Sequence, residues 1–145
     1  MLCPIFSARN SDFNLPASHC STLGFQQTTN QYSQLHEQGL IYLNENSYSE
    51  ALERLNQAFQ EAAQTQNIEA QASVQLSLAR LHYKIHNFDY AALQVHNAIE
   101  LLRVENASDL IAKAQTLLGL IYIENGKWEE AEIFLHMADQ YYSSL

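Results

Sequence analysis

The sequence predicts an all-α fold in which six helices form three antiparallel hairpins that stack into a solenoid. Two observations support this prediction: the chain repeats itself at a spacing of 40 residues, and only short turns separate the predicted helices. A fixed period of about 20 to 50 residues is typical of solenoids, whose units bury their apolar faces by stacking. Small residues align in three columns: Gly39, Ala79 and Gly119; Ala51, Ala91 and Ala131; and Ala58, Ala98 and Ala138.

The helix boundaries follow from capping patterns and turn residues. Thr28 with Gln31 predicts the first helix, and Ser47 with Glu50 forms a clearer capping box for the second. The next three helices are predicted to begin at the capping residues Asn67, Asn87 and Ser108. The predicted helices end near Glu45, Gln64, Ile85, Val104, Glu124 and Tyr142, and the sixth begins after Gly126.

Residues 1–29 contain both prolines and only two charged residues, which predicts a flexible leader. Residues 30–145 form the predicted folded domain, with repeats at about 32–66, 67–106 and 108–145. Cys3 and Cys20 both lie in the leader, and we expect them to be free thiols because no further cysteine completes a metal set.

The spacing within each second helix explains why small residues recur. Ala51, Leu55, Ala58 and Ala62 follow the i, i+4, i+7, i+11 pattern of one helix face, which predicts a buried face. Gly39 lies in the middle of the first helix, where glycine costs about 1 kcal/mol relative to alanine. A close approach between the two helices is the expected compensation.

Composition argues against several classes of function. A net charge of −9 disfavours binding to nucleic acid or to anionic membranes. The longest apolar run, Leu117–Ile123, is far short of a membrane span of about 20 residues. The first residues make a poor secretion signal, so we expect a cytoplasmic protein. No catalytic or phosphate-binding motif is present, which predicts a protein that is not an enzyme and needs no cofactor.

The repeats resemble the tetratricopeptide repeat family. The match is carried by Gly39-Leu40-Ile41-Tyr42 with Tyr48, Ala51, Leu55 and Ala58, and again by Leu118-Gly119-Leu120-Ile121-Tyr122 with Trp128, Ala131, Leu135 and Ala138. This resemblance implies a right-handed α-solenoid and a binding module without catalytic activity. Proteins of this family bind peptides or other proteins in a concave groove that the first helices of successive repeats form.

The family geometry implies which residues line that groove. They are Ser33, His36, Leu40, Leu43 and Asn44, then Ser73, Leu76, Arg80, Tyr83 and Lys84, then Lys113, Thr116, Leu120, Ile123 and Glu124. Three of the seven basic residues of the chain are in this set. We expect the groove to accept an acidic or C-terminal carboxylate group of a partner. The alternative is that these cations are solvated and balance Glu37 or Glu124.

Histidines decide two further predictions, one about a carboxylate clamp and one about a metal site. The carboxylate clamp that some tetratricopeptide repeats use to hold a chaperone tail is absent, because His36 and Leu40 occupy its places in the first repeat. His82 and His86 lie four residues apart, a spacing that can bind a metal, but no third ligand is evident. We expect His82 to be packed in place of the repeat's tyrosine and His86 to lie in a turn, with no metal.

The last helix carries more apolar residues than one inner face can bury. This excess predicts either a homodimer through the last helix or coverage by leader residues around Phe6, Phe13 and Phe25. The residues expected at the interface are Phe134, Met137, Tyr141 and Tyr142.

The leading functional prediction is an adaptor or scaffold that docks a partner protein or peptide in its groove. The alternatives are a small assembly or secretion chaperone and a regulatory subunit of a larger complex.

Overall fold

A computed structural model describes the backbone from residue 17 and the side chains from residue 31. Over residues 17–145 the chain forms six α-helices and no strand, which confirms the predicted all-α fold. The helices are α1 (Ala17–Asn44), α2 (Tyr48–Gln64), α3 (Ile68–Lys84), α4 (Phe88–Val104), α5 (Ser108–Glu124) and α6 (Trp128–Ser143).

The first helix differs from its prediction. It begins at Ala17 and continues through Thr28, which is therefore inside the helix and does not cap it. The chain has no proline between Ala17 and Asn44, so no backbone restriction ends the helix at Thr28. Residues 1–16, with Cys3, Phe6 and Phe13, lie outside the described residues. The side chains of Cys20 and Phe25 lie outside them too, so the flexible leader remains a prediction.

The turns reveal a period that is half of the repeat. A residue with positive φ occurs in every turn, and these residues are 20 positions apart: Asn46, Gln66, His86, Asn106 and Gly126. In the first turn the Asn46 amide donates to the Leu43 carbonyl at 3.2 Å and the Ser47 amide to Tyr42 at 2.9 Å. This pair of bonds is a Schellman motif, which ends a helix within one left-handed residue. Three-residue turns therefore separate the helices, and α2 to α6 are nearly equal in length, at 16 or 17 residues.

These tight turns change the predicted caps. Asn67 accepts a hydrogen bond from the Ala70 amide at 3.0 Å, as an N-cap should, and its ψ is 100°. Ser47 and Asn87 occupy N-cap positions with ψ of 73° and 71° but form no side-chain cap. Ser108 is the first helical residue and Ala107 takes the N-cap position. In these turns the residue before the helix also ends the preceding Schellman motif, so it does not reach the extended conformation that capping requires.

The helices pack in two layers. Each helix contacts the next along the chain, which forms the three hairpins and stacks them. The first helices of the hairpins also contact one another in series, α1 to α3 and α3 to α5. Between residues 48 and 143, no close backbone contact joins α2 to α4 or α4 to α6. The first helices therefore lie closer together than the second helices and form the inner, concave side.

The alanine columns lie at the centre of the core. Ala51, Ala58, Ala91 and Ala98 are fully buried, and Ala131 and Ala138 are 2% and 3% exposed. A Cβ atom at Gly39 would lie 2.6 Å from Leu55 Cδ2. The two helices of the hairpin therefore approach more closely than an alanine at this position would allow. Among the described residues, no helix combines the length and the hydropathy needed to cross a membrane.

Candidate protein-binding groove

The inner layer encloses a groove of about 950 Å³ between α1, α3 and α5, with the end of α6 at one side. Nine of the ten groove residues expected from the sequence lie in its lining: His36, Leu40, Asn44, Leu76, Arg80, Tyr83, Lys84, Lys113 and Leu120. The tenth, Ile123, faces a different surface at the end of the last hairpin. Leu43, Ser73 and Thr116 also line the groove, as the family geometry implies, whereas Ser33 and Glu124 do not.

Three lining residues were not expected from the sequence: Ser77, Leu117 and Tyr142. Ser77 and Leu117 are one position after Leu76 and Thr116, so a slightly wider inward face on α3 and α5 would have included them. Tyr142 could not be found in this way, because it comes from the last helix and belongs to the outer layer of its hairpin. Its presence shows that α6 contributes to the groove.

The groove is apolar in part and cationic in part. Leu40, Leu76 and Leu117 are half-buried and Leu120 is 45% exposed, so each offers apolar surface to a ligand. Along the described lining there are three cations, Arg80, Lys84 and Lys113, and no carboxylate. The chain has sixteen acidic residues, yet the charged residues of the described groove lining are all cations. The local charge of the groove is therefore opposite to that of the whole chain.

The three cations differ in their surroundings. Lys113 pairs with Asp109 on the same helix at 2.8 Å, and both side chains are exposed. The hydrogen bond and the charge of Asp109 raise the pKa of Lys113 above its ordinary value. Arg80 and Lys84 are exposed, and neither forms an ion pair with a carboxylate of residues 31–145. They are therefore the cations most available to a bound acidic group.

A buried polar network lies at the α1 side of the groove. His36 Nε2 and Ser77 Oγ are 2.7 Å apart, and the Ser77 hydroxyl donates to the Ser73 carbonyl at 3.2 Å. Both bonds can form together only if His36 carries its proton on Nε2 and donates it to Ser77. Burial lowers the pKa of His36 below its ordinary value of 6.5, which favours this neutral ring. Ser77 is 5% exposed, so its interactions position His36 on α1 against α3.

The second histidine pair lies away from the groove lining. The His82 ring contacts Tyr90 edge to face, with centroids 4.4 Å apart, and burial lowers its pKa below 6.5. His86 lies in the turn with a φ of 63° and contacts the Phe88 ring. Among residues 31–145, no group of three histidine, cysteine or carboxylate side chains is placed to bind a metal ion.

One of the four residues expected to form a dimer is packed within the chain. Phe134 is half-buried within the chain, where its ring lies 5.7 Å from both His96 and Tyr122. Met137 is 45% exposed and accepts a weak hydrogen bond from Gln115 at 3.7 Å. Tyr141 packs edge to face on Tyr142, which lines the groove. Phe134 therefore belongs to the core, and the other three remain accessible in part.

A different side of the last helix is open. Trp128 is 66% exposed and lines a second cavity of about 740 Å³ with Ile123, Leu135 and His136. The residues predicted to form sites did not include this surface. The 40-residue register could have identified it, because Leu135 and His136 correspond to Val95 and His96 at the contact between the second and third hairpins.

Comparisons with known proteins agree with this architecture. A family model described as anaphase-promoting complex subunit 5 matches residues 35–122, which is more than half of the chain. The crystal structure of the TPR domain of Arabidopsis FLU superimposes with a TM-score of 0.76 at 14% identity, over 81% of this chain and 99% of that one. No curated protein matches the chain in sequence. The resemblance to the tetratricopeptide repeat family is confirmed.

Proposed function

The chain belongs to the anaphase-promoting complex subunit 5 family of helical repeats, and on this premise we propose that it is a protein-interaction module without catalytic activity. It docks a segment of a partner protein in the groove between α1, α3 and α5. Helical repeats of this type are generally interaction modules. The observation that carries the proposal is a groove lined by three cations and no described carboxylate, in a chain of net charge −9.

The chemistry of the groove supports a more specific proposal for the ligand. Arg80 and Lys84 lie one helical turn apart and project from one face of α3, so one carboxylate-bearing segment can contact both. Leu40, Leu76 and Leu120 supply apolar contact beside them. We therefore propose that the partner segment carries acidic side chains or a C-terminal carboxylate next to aliphatic residues. Because these cations are exposed, each pair alone contributes little, and selective binding depends on the charged and apolar contacts acting together.

A peptide titration tests this proposal. The probes are a short peptide of alternating Leu and Asp with a free C-terminus, its C-terminally amidated form, and a counterpart with Lys in place of Asp. The wild-type chain should bind the acidic peptides and not the basic one. The free and amidated forms distinguish the terminal carboxylate from acidic side chains as the recognised group.

A pair of variants locates the binding. Arg80→Glu/Lys113→Glu should weaken binding of the acidic peptide by about tenfold or more. The matched control Arg54→Glu/Arg103→Glu makes the same change of charge on α2 and α4, outside the groove, and should have a much smaller effect. Equal affinities in wild type and the groove variant would contradict the proposal.

A second proposal concerns the setting in which the module works. The family description names a subunit of a large assembly, which favours a regulatory subunit of a multiprotein complex over a free adaptor. A tagged chain purified from its own cells should then elute in a large particle with the same few proteins at constant ratios. Elution as a free monomer would contradict this proposal. A partner that is insoluble without the chain would favour the assembly or secretion chaperone instead.

Two further proposals come from the sequence. The first is a homodimer through the last helix, to which Met137, Tyr141 and Tyr142 contribute accessible apolar surface. Light scattering should then give a dimer mass for the wild type and a monomer mass for Met137→Glu, whereas a wild-type monomer would contradict it. The second is residence in the cytoplasm, which imaging of a fluorescent fusion tests directly.

A further inference from the structure

The outer side of the last hairpin forms a surface that we call the terminal face, made of Trp128, Glu132, Leu135, His136 and Asp139. Its cavity measures about 740 Å³, and Trp128 at its edge is 66% exposed. The described lining contains two carboxylates and no lysine or arginine. The terminal face is therefore acidic and apolar, whereas the groove is cationic and apolar.

The same side of the middle hairpin binds a helix within this chain. The face 40 residues earlier is covered by α5, so Val95 is fully buried and Ile99 is 3% exposed. Polar contacts fix its edges. Asp89 accepts a hydrogen bond from Asn125 at 3.1 Å and lies 3.8 Å from the Lys127 ammonium. This internal contact shows which chemistry the face uses: an apolar centre and an acid at the helix start that attracts a cation.

The terminal face retains part of that chemistry. Forty residues on, Leu135 stands for Val95, His136 for His96, and Glu129 for Asp89. In the covered hairpin, His96 Nε2 lies 2.9 Å from the Tyr122 hydroxyl on α5. The apolar centre and the histidine are thus present on the terminal face, and the acid at the helix start, Glu129, follows Trp128 in the sequence.

Two substitutions define what can cover the face. Glu132 stands where the middle hairpin has Ala92, which is 7% exposed, and Asp139 stands where it has Ile99. Covering these carboxylates with an apolar helix would desolvate two charges without partners, which is strongly unfavourable. A copy of α5 is therefore a poor occupant. A second terminal face is also poor, because it would bring more carboxylates to the same place.

We propose that the terminal face binds an amphipathic helix of a partner protein, whose small apolar stripe is flanked by Lys or Arg. The stripe covers Leu135 and Trp128, and the flanking cations pair with Glu132 and Asp139. This surface and the groove share no lining residue and take partners of opposite charge. Two separate partner segments can therefore be bound at once, as on a scaffold.

Trp128 provides a direct measurement because it is the only tryptophan of the chain. Three helical peptides serve as probes: one with a Leu/Ala stripe flanked by Lys, the same stripe flanked by Glu, and the chain's own residues 108–124. Only the Lys-flanked peptide should shift Trp128 emission to shorter wavelength. It alone covers the indole and also provides cations that pair with the carboxylates of the terminal face. Added salt should weaken this binding.

Variants separate a specific site from general attraction to an acidic protein. Glu132→Lys/Asp139→Lys should weaken binding of the Lys-flanked peptide by about tenfold or more, equivalent to about 1.4 kcal/mol. Glu50→Lys/Glu53→Lys makes the same charge change on α2 and should have a much smaller effect. Circular dichroism of each variant establishes that it is folded.

Several outcomes would overturn the proposal. If the two variants weakened peptide binding equally, the binding would depend on the net charge of the chain and not on the terminal face. Binding without a change in Trp128 emission would place the peptide elsewhere. A shift caused equally by the Glu-flanked peptide or by residues 108–124 would mean that apolar stacking alone is sufficient. The groove variant Arg80→Glu/Lys113→Glu should leave this binding intact, so the outcome is independent of the proposed groove function.

Discussion

The first and last hairpins contain the same close helix contact in different surroundings. A Cβ atom at Gly39 would lie 2.6 Å from Leu55 Cδ2, and one at Gly119 would lie 2.5 Å from Leu135 Cγ. Leu55 is fully buried between the first and second hairpins, whereas Leu135 is half-buried and lines the terminal face. Sequence within one hairpin sets how closely its helices approach. The next hairpin determines whether the contact can relax.

The middle hairpin reaches the same packing with different residues. Ala79 replaces the glycine and Val95 replaces the leucine, and both are fully buried. One side chain is larger by a methyl group and the opposite one is smaller by a methylene, so the combined volume is nearly conserved. This exchange is what close packing in protein interiors requires.

The largest expected difference between the hairpins comes from removing the leucines. Leu55→Ala should lower the free energy of unfolding by about 2 to 5 kcal/mol, because neighbours on both sides prevent collapse of the cavity. Leu135→Ala should cost about 1 kcal/mol, because water already reaches one side of the site. Urea denaturation of both variants measures the contrast. Equal losses would show that the terminal face is covered in solution.

Substitution of the two glycines should also destabilise the first hairpin more than the last, but the difference should be smaller than for the leucines. Gly39→Ala overpacks the contact at a cost of about 1 to 3 kcal/mol, reduced by about 1 kcal/mol of helix propensity. Gly119→Ala should be nearly neutral because Leu135 can turn toward the open face. Adding Leu55→Val to Gly39→Ala reproduces the Ala79 and Val95 pair and should restore most of the lost stability. Failure of this rescue in urea denaturation would contradict the volume argument.

A still smaller difference is expected between the turns of the two hairpins. Gly126 has a φ of 74°, and beyond its two chain neighbours nothing lies within 4 Å of the Cβ that a substitution would add. Gly126→Ala should therefore lose about 1 kcal/mol through backbone conformation alone. At the matching position of the first hairpin, Asn46 has a φ of 63°, and Asn46→Gly should change stability by only a few tenths. Thermal denaturation of the pair checks this, and a neutral Gly126→Ala would contradict it.

The smallest expected effect is the response to acid, which should arise in the first two hairpins. Burial lowers the pKa of both His36 and His82 below 6.5 in the folded state. The unfolded chain therefore binds more protons below that pH, and stability should fall as the pH decreases through and below about 6.5. His82→Tyr, which copies the residue of the other repeats, should reduce this pH dependence of the melting temperature. An unchanged slope in His82→Tyr would rule out His82 as a contributor.

Much of the fold could be predicted because one register governs it. The ends of α2 to α5 follow from the 40-residue period and from the short turns, and they lie within a residue or two of the predicted positions. The start of α1 could not be predicted, because a polar sequence without proline permits a longer helix. Capping was misjudged at Ser47 because three-residue turns give one residue two competing roles.

Some residues of the candidate sites could be predicted from the sequence, and others could not. Residues of α1, α3 and α5 were placed on the inner side by helical periodicity and family geometry, and nine of ten do line one groove. Ile123 and Phe134 were misplaced because hydropathy alone does not distinguish a face that packs within the hairpin from one that looks outward. Ion pairs such as Lys113 with Asp109 depend on side-chain conformation, which no sequence pattern specifies.

The central claim is that the concave side of the first helices holds an acidic partner segment. Chemical-shift mapping of the isotope-labelled chain with the acidic Leu/Asp peptide tests it most directly. The perturbed amides should cluster on α1, α3 and α5 around Leu40, Arg80 and Leu120, and the amides of α2 and α4 should be unaffected. Perturbations confined to α2 and α4, or spread evenly over the surface, would contradict it.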